Sequence, residues 1–339
     1  MILAALRDLQ WRWKRFAIAI AATALVFSMS LVMSGLAESF PLEVDHLLAS
    51  FGGSSYLAPK GEVGPFTSAS IVPTKEAPRA APMLFWAAAL RVKGEPRQAA
   101  LFGLPPRWPI PVEHGTGRRR AGQIVVDDSL GLGVGSALHL GATDYRVVGT
   151  MHQRTLFGGQ PLVIFTIHDA QARLAGGADI TRAFIDRAGP DAPAPAGLTR
   201  FSRAETAADL LRPVQSAGQS ITFVKLLLWL VAICIIGSVV FLSALERSRD
   251  FAVFKATGVK GWQMGLGLAL QAIVLAVVAS IVAIGIASLL APLFPMPVSI
   301  PTSAAVSLPF LAIAIGLLAS LAGLRKTMTA DPVEAFGGR

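Results

Sequence analysis

Four long stretches of this 339-residue chain contain no Asp, Glu, Lys, Arg or His: Phe16–Leu36, Leu226–Leu245, Gly265–Ala291 and Ala304–Gly323. A bilayer's hydrocarbon core is crossed by about 20 apolar residues in a helix. A soluble core helix of that length keeps a polar face. These stretches keep none, so the expected fold is a membrane protein with four transmembrane α-helices. The charged share of 15% agrees, since soluble chains carry about 25%. The first stretch has the outline of a signal peptide, with Arg7, Arg12, Lys14 and Arg15 before it and Ser34-Gly35-Leu36-Ala37, which resembles a cleavage site, at its end. It is longer than the roughly 7–15 residues of a signal-peptide apolar region, and reads as an uncleaved anchor.

Basic residues beside the spans set the orientation, because Lys and Arg are retained on the cytoplasmic side. Segments 1–15, 246–264 and 325–339 together carry 11 basic and 5 acidic residues, whereas 37–220 carries 18 and 16. The expected layout is a cytoplasmic segment 1–15, span 16–36, an extracytoplasmic domain 37–220, span 221–245, a cytoplasmic hairpin 246–264, span 265–291, an outer loop 292–303, span 304–324 and a cytoplasmic tail 325–339. The arrangement is one span, a large outer domain, then three spans. It places both termini on the cytoplasmic side, and the heavy use of Ala, Gly and Arg points to a bacterial plasma membrane. The high basicity is thus a topology signal, and the split of its charges among membrane flanks argues against a nucleic-acid partner.

Residues 37–220 read as mixed α+β. The segments SIVP, MLFWAAALRV, QIVVDD, SALHL, YRVVG, PLVIFTI and AFIDRA are short apolar runs bounded by Gly and Pro, the pattern of strands. Residues 41–51 predict a short helix leaving the first span, and Asp169–Ala175 a helix stopped by Gly176-Gly177. Residues 188–197 form a Pro/Ala linker. Ser202-Arg-Ala-Glu205 is a capping box, and the helix it starts is expected to run past Pro213 into the second span.

Little of the chain suggests chemistry. None of the five histidines shares a metal-binding spacing such as HExxH. Gly131-Leu-Gly-Val-Gly135 lacks the terminal Gly-Lys-Ser/Thr of a phosphate loop and reads as a turn. Gly117-Arg118-Arg119-Arg120 reads as a solvated basic loop. The spans offer no ionisable residue for an ion path. They carry small residues every fourth position instead: Ala279, Ala283, Ala287 and Ala291 in the third, Ala312, Gly316 and Ser320 in the fourth. Such stripes let helix backbones approach closely.

The break between the second and third spans reads ALERSRDFAVFKATGVKGWQMG. Helical phase can pair Glu246 with Arg249 and Arg247 with Asp250. Phe251 and Phe254 share a face, and Gly258 is a helix stop. A plain solvated hairpin has no need of the two phenylalanines. Here Glu246-Arg247-x-x-Asp250-x-x-x-x-Lys255-Ala256-x-Gly258 resembles the ER-x-x-E-x-x-x-x-KA-x-G signature of FtsX/MacB-type ABC transporter permeases. Residues 123–151 and the tail Asp331-Pro332-Val333-Glu334-Ala335 are similar to two further segments of that family. Asp250 stands for the commoner Glu and Thr257 for an apolar residue; residues 52–120 carry no part of the resemblance. The tail is also locally consistent, with Asp331 as cap, Pro332 at the first helical position and Glu334 in the first turn.

The resemblance implies a permease dimer, two copies of this chain, on a cytoplasmic dimer of ABC ATPases. Glu246, Arg247, Arg249, Asp250, Phe251, Phe254, Lys255, Ala256 and Gly258 would form the ATPase-coupling helix, and Asp331, Pro332 and Glu334 a contact of the tail. ATP and magnesium would bind the partner ATPase and no cofactor this chain, which has no Walker motif and is expected not to be an enzyme. Motion would pass through the helices to the outer domain, a mechanism called mechanotransmission. Membrane lipid and an extracytoplasmic accessory protein are the other expected partners. The resemblance leaves two roles: export or extraction of a hydrophobic or peptide-like molecule, or transmembrane signalling to an outer cell-wall hydrolase or sensor.

Overall fold

The computed structural model describes residues 13–118, 120–141, 143–247, 253, 261–291 and 300–328. Four of its helices are long and apolar enough to cross a membrane: α1 (Trp13–Phe51), α3 (Arg203–Glu246), α4 (Gly261–Leu290) and α5 (Thr302–Met328). The short helix expected at 41–51 is the end of α1, which takes Pro41 into its interior. The chain divides into two units. One contains 218–247, α4, α5 and the part of α1 before Glu38; the other is Glu38–Ala217. α1 and α3 each contribute residues to both.

In the second unit an eleven-stranded sheet is formed among the described residues by β1 (Ser55–Pro59), β3 (Ala81–Val92), β4 (Glu95–Leu104), β5 (His114–Gly115), β6 (Gln123–Asp127), β7 (Ala137–Leu140), β8 (Thr143–Met151), β9 (Thr155–Leu156), β10 (Gln160–Thr166), β12 (Ala183–Asp186) and β13 (Leu198–Ser202). Its main path runs β13-β1-β12-β3-β4-β10-β6-β8-β5, with β7 on β8 and β9 on β10. β4–β10 and β6–β8 are parallel; the other pairs are antiparallel. β2 (Val72–Pro73) and β11 (Ile180–Thr181) form a separate ribbon.

The central strands are covered on both faces, so they read as unbroken apolar runs with no polar alternation. Ala100, Phe102, Leu104, Val125, Leu162 and Ile164 pack in one cluster with Val44, Leu47, Leu48 and Phe51 of α1 and Leu210 of α3. The alternate residues Ala99, Leu101, Ile124, Val126, Val163 and Phe165 pack in the other with Leu138, Leu140 and Tyr145. Strand β4 lies outside the segments expected from β-branched content. What makes it is the two-residue turn Lys93-Gly94, both at positive φ (53° and 90°), which pairs Val92 with Glu95 in the conformation that right-twisted hairpins favour.

Helix α2 (Ile167–Ala175) begins on Thr166, whose side chain accepts the Asp169 N–H, and ends on Gly176 in the left-handed conformation. The capping box forms as read: Glu205 N–H donates to Ser202 Oγ, and Glu205 Oε2 accepts from the backbone and hydroxyl of Ser202. α3 then runs past Pro213 to Glu246. Gly131 and Gly135 lie in the turn between β6 and β7.

The Arg118 expectation is corrected. Its side chain is buried, with Nε donating to Phe165 O at 2.7 Å and Nη2 to Pro105 O at 3.2 Å. Those carbonyls lie at the carboxyl ends of the parallel pair β4–β10, which draws the guanidinium inward. Arg120 is exposed as expected, and Arg119 lies outside the described residues.

Candidate coupling site

Of the residues expected to meet an ATPase, Glu246 and Arg247 are described. Arg249, Asp250, Phe251, Phe254, Lys255, Ala256 and Gly258 lie outside the described residues, as do Asp331, Pro332 and Glu334 of the tail. The expected Glu246–Arg249 pair therefore falls on one described residue only. Among the described residues, Glu246 pairs with Arg15, far away in the sequence. Arg15 Nη1 lies 3.0 Å from Glu246 Oε2, and Arg15 Nη2 donates to the Val239 carbonyl at 2.6 Å. A basic residue of the N-terminal flank thus joins α1 to the end of α3. A second link between these helices is Trp229 Nε1 donating to Ser30 Oγ at 3.0 Å. Lys225 Nζ stands 6.0 Å from the centre of the Trp229 ring, within cation–π range.

The small-residue stripes are buried where they are described. Ala279, Ala283 and Ala287 of α4 and Ala312 of α5 are fully buried, and Ser320 nearly so. A Cβ on Gly316 would stand 2.9 Å from the Ile273 Cα, so glycine is what permits that approach. Alanine and glycine here give backbone-to-backbone packing, which substitutes in lipid for a hydrophobic driving force.

In the sheet unit, each of the two helices that also carries a span holds one buried carboxylate. Glu43 of α1 accepts from Thr155 Oγ1 at 2.6 Å and from the backbone N–H groups of Gly158 and Gly159, both at 2.9 Å. Asp209 of α3 accepts from Phe66 N–H at 2.8 Å, from Thr67 N–H at 3.1 Å and from the Thr67 hydroxyl. Gly64 leaves room for it, since a Cβ there would fall 2.1 Å from the Asp209 Cγ. Charge-assisted hydrogen bonds of this kind are about twice as strong as neutral ones. Both helices are therefore fastened to sheet-unit loops by directional bonds as well as by apolar packing. Sequence reading missed both carboxylates. The only local signal was, for Asp209, an acidic residue inside an otherwise apolar helical turn, Ala207-Ala208-Asp209-Leu210-Leu211.

A model of the FtsX-like permease C-terminal region matches residues 222–332. An ABC transporter permease of Mycobacterium bovis is 41% identical over 349 aligned positions that cover 100% of both chains. Two ABC transporter permeases of Mycobacterium tuberculosis strain H37Rv are 41% and 40% identical, again over 100% of both chains. Among solved structures, the periplasmic region of MacB from Actinobacillus actinomycetemcomitans aligns with TM-score 0.36 at 10% identity, covering 50% of this chain and 98% of that one. The extracellular domain of YknZ, a noncanonic ABC-type transporter from Gram-positive bacteria, aligns with TM-score 0.30 at 8% identity, covering 40% and 83%.

Proposed function

Because the chain belongs to the FtsX-like ABC transporter permeases, we propose that it couples a separate cytoplasmic ATPase to its outer domain by mechanotransmission. In this reading the cargo is a hydrophobic or peptide-like molecule taken from the outer leaflet or the space beyond it. Two copies of the chain act with an ATPase dimer, which binds ATP and magnesium. Residues 246–264 form the docking hairpin, and both termini are cytoplasmic.

The observation that carries this reading is the pair of carboxylate anchors, Glu43 on α1 and Asp209 on α3. The same two helices contain the first two spans, and Arg15 ties them at Glu246. α1 and α3 would thus carry a displacement of the hairpin to β9–β10 and to the Phe66–Thr67 loop, which hold Glu43 and Asp209. The apolar stretches of the spans add no Asp, Glu, Lys, Arg or His, so leverage is the mechanism that their chemistry favours over a polar conduit.

Docking is tested with Phe254→Asp, which places a charge where an aromatic contact is proposed. The variant is expected to insert and fold but to lose co-purification with the ATPase. Unchanged yield of the complex contradicts the assignment of 246–264.

A further inference from the structure

The loop between β4 and β6 carries a cleft of about 660 Å³ lined by Arg107, Trp108, Pro109, Ile110, Val112, Gly117 and Arg118. That volume is in the range of small-molecule sites. Pro105, Pro106, Pro109 and Pro111 stiffen the loop. Its two arms are joined by Arg107 N–H donating to Arg118 O at 3.2 Å. Arg107 holds φ at 62°, a left-handed conformation uncommon for a residue with a Cβ and of the kind that collects at ligand clamps.

Arg118 is 1% exposed. Two carbonyls satisfy Nε and Nη2, and Nη1 has no hydrogen-bond partner. Among the described residues no carboxylate forms an ion pair with it. A buried guanidinium is ordinarily paired, because desolvating the charge costs several kcal/mol. Burial lowers its pKa to about 10, which leaves it positive at neutral pH. Further positive charge lies close by: Arg107 is exposed on the cleft, and the Arg187 guanidinium sits 5.1 Å from the centre of the Trp108 ring. The cleft lining contains no acidic residue. Trp108 Nε1 is already committed to the Phe51 carbonyl at 3.1 Å, so the indole offers this cleft apolar surface, as do Ile110 and Val112.

We propose that this cleft binds the oxyanion head of an amphipathic ligand, with the head at the Arg107–Arg118 end and the apolar part against Trp108, Ile110 and Val112. A bare anion has no use for the apolar wall, and a neutral apolar molecule leaves the arginine charge uncompensated. The proposal concerns binding to this chain alone and does not depend on the coupling reading.

Isothermal titration of the full chain in dodecyl maltoside tests it, with hexyl phosphate, inorganic phosphate and hexanol as separate probes. Saturable binding of hexyl phosphate is expected, with inorganic phosphate about tenfold weaker and hexanol not detectable. Arg118→Gln should abolish hexyl phosphate binding. If that variant does not fold, Arg107→Glu at the exposed rim decides, with an expected loss of about tenfold or more. Equal affinity for the two phosphates overturns the amphiphile assignment. Binding of hexyl phosphate that Arg107→Glu leaves unchanged, or no binding, overturns the site and leaves Arg118 as a tie between the loop and β10.

Discussion

Arg15 Nη1 and Glu246 Oε2 stand 3.0 Å apart although 231 positions separate the residues. The pair closes α1 onto the last residue of α3, which is also the first residue of the segment proposed to meet the ATPase. Both side chains are partly solvated, at 23% and 36% exposure, which holds the ion pair itself to about 0.5–1 kcal/mol. Its importance is therefore geometric. Arg15→Glu is expected to lower thermal stability in detergent slightly and ATPase co-purification more strongly. The exchanged pair Arg15→Glu with Glu246→Arg should recover both in part. No recovery in the exchanged pair would show that the two charges act separately.

Glu43 and Asp209 should behave differently from such a surface pair, because both are buried with several donors each. Glu43→Ala leaves the Gly158 and Gly159 N–H groups and the Thr155 hydroxyl without their acceptor, at a cost of about 2–4 kcal/mol. Glu43→Gln keeps one carbonyl acceptor and should lose less. Thermal unfolding of the full chain gives the order, and hydrogen exchange locates the effect at 155–160. Gly64→Ala makes the same point for Asp209 by displacing its carboxylate. A Gly64→Ala chain as stable as wild type would remove Asp209 from the account.

The packing of α4 on α5 gives a comparison within one membrane unit. Gly316→Ala places a methyl 2.9 Å from the Ile273 Cα, whereas a Cβ on Gly285 meets nothing within 4 Å. Gly316→Ala is expected to destabilise by about 1–3 kcal/mol. Gly285→Ala should be neutral or stabilising, since alanine is the better helix former. Thermal denaturation in one detergent ranks them, and equal effects would mean that the small residues reflect composition alone.

Hydrogen bonds from the Ser202 backbone and hydroxyl hold the Glu205 carboxyl below its ordinary pKa. A group with a depressed folded-state pKa stabilises above its unfolded value, and that contribution is lost as pH falls through the folded one. The melting-temperature gap between wild type and Glu205→Gln should therefore be widest near neutral pH. It should narrow as pH falls through and below about 4.5. A gap that does not change with pH would mean that the box acts through shape and not charge.

The spans, the capping box and the small-residue contacts were legible because each depends on neighbours within a turn or two of helix. Strand β4 was not. EPRQAALFGL has no β-branched residue. It is a strand because Lys93-Gly94 reverses the chain onto β3 and because Gly103 lets α2 approach, a Cβ there falling 2.3 Å from Ala170 Cβ. Arg118 reads as solvated in a basic run because its acceptors, Pro105 and Phe165, come from other parts of the chain. Glu43 likewise finds its donors more than a hundred residues away. A local pattern reports how a segment can fold, and these three cases were settled by what the fold brought to them.

The central claim is that nucleotide on the ATPase changes the outer domain through α1 and α3. Hydrogen exchange of the purified permease–ATPase complex, with and without ATP and vanadate, measures this at residues 155–160 and 64–68. The account predicts a nucleotide-dependent change of protection in both loops, abolished by Glu43→Ala with Asp209→Ala in complexes that still hydrolyse ATP. Identical protection in the two nucleotide states of the wild-type complex would contradict it.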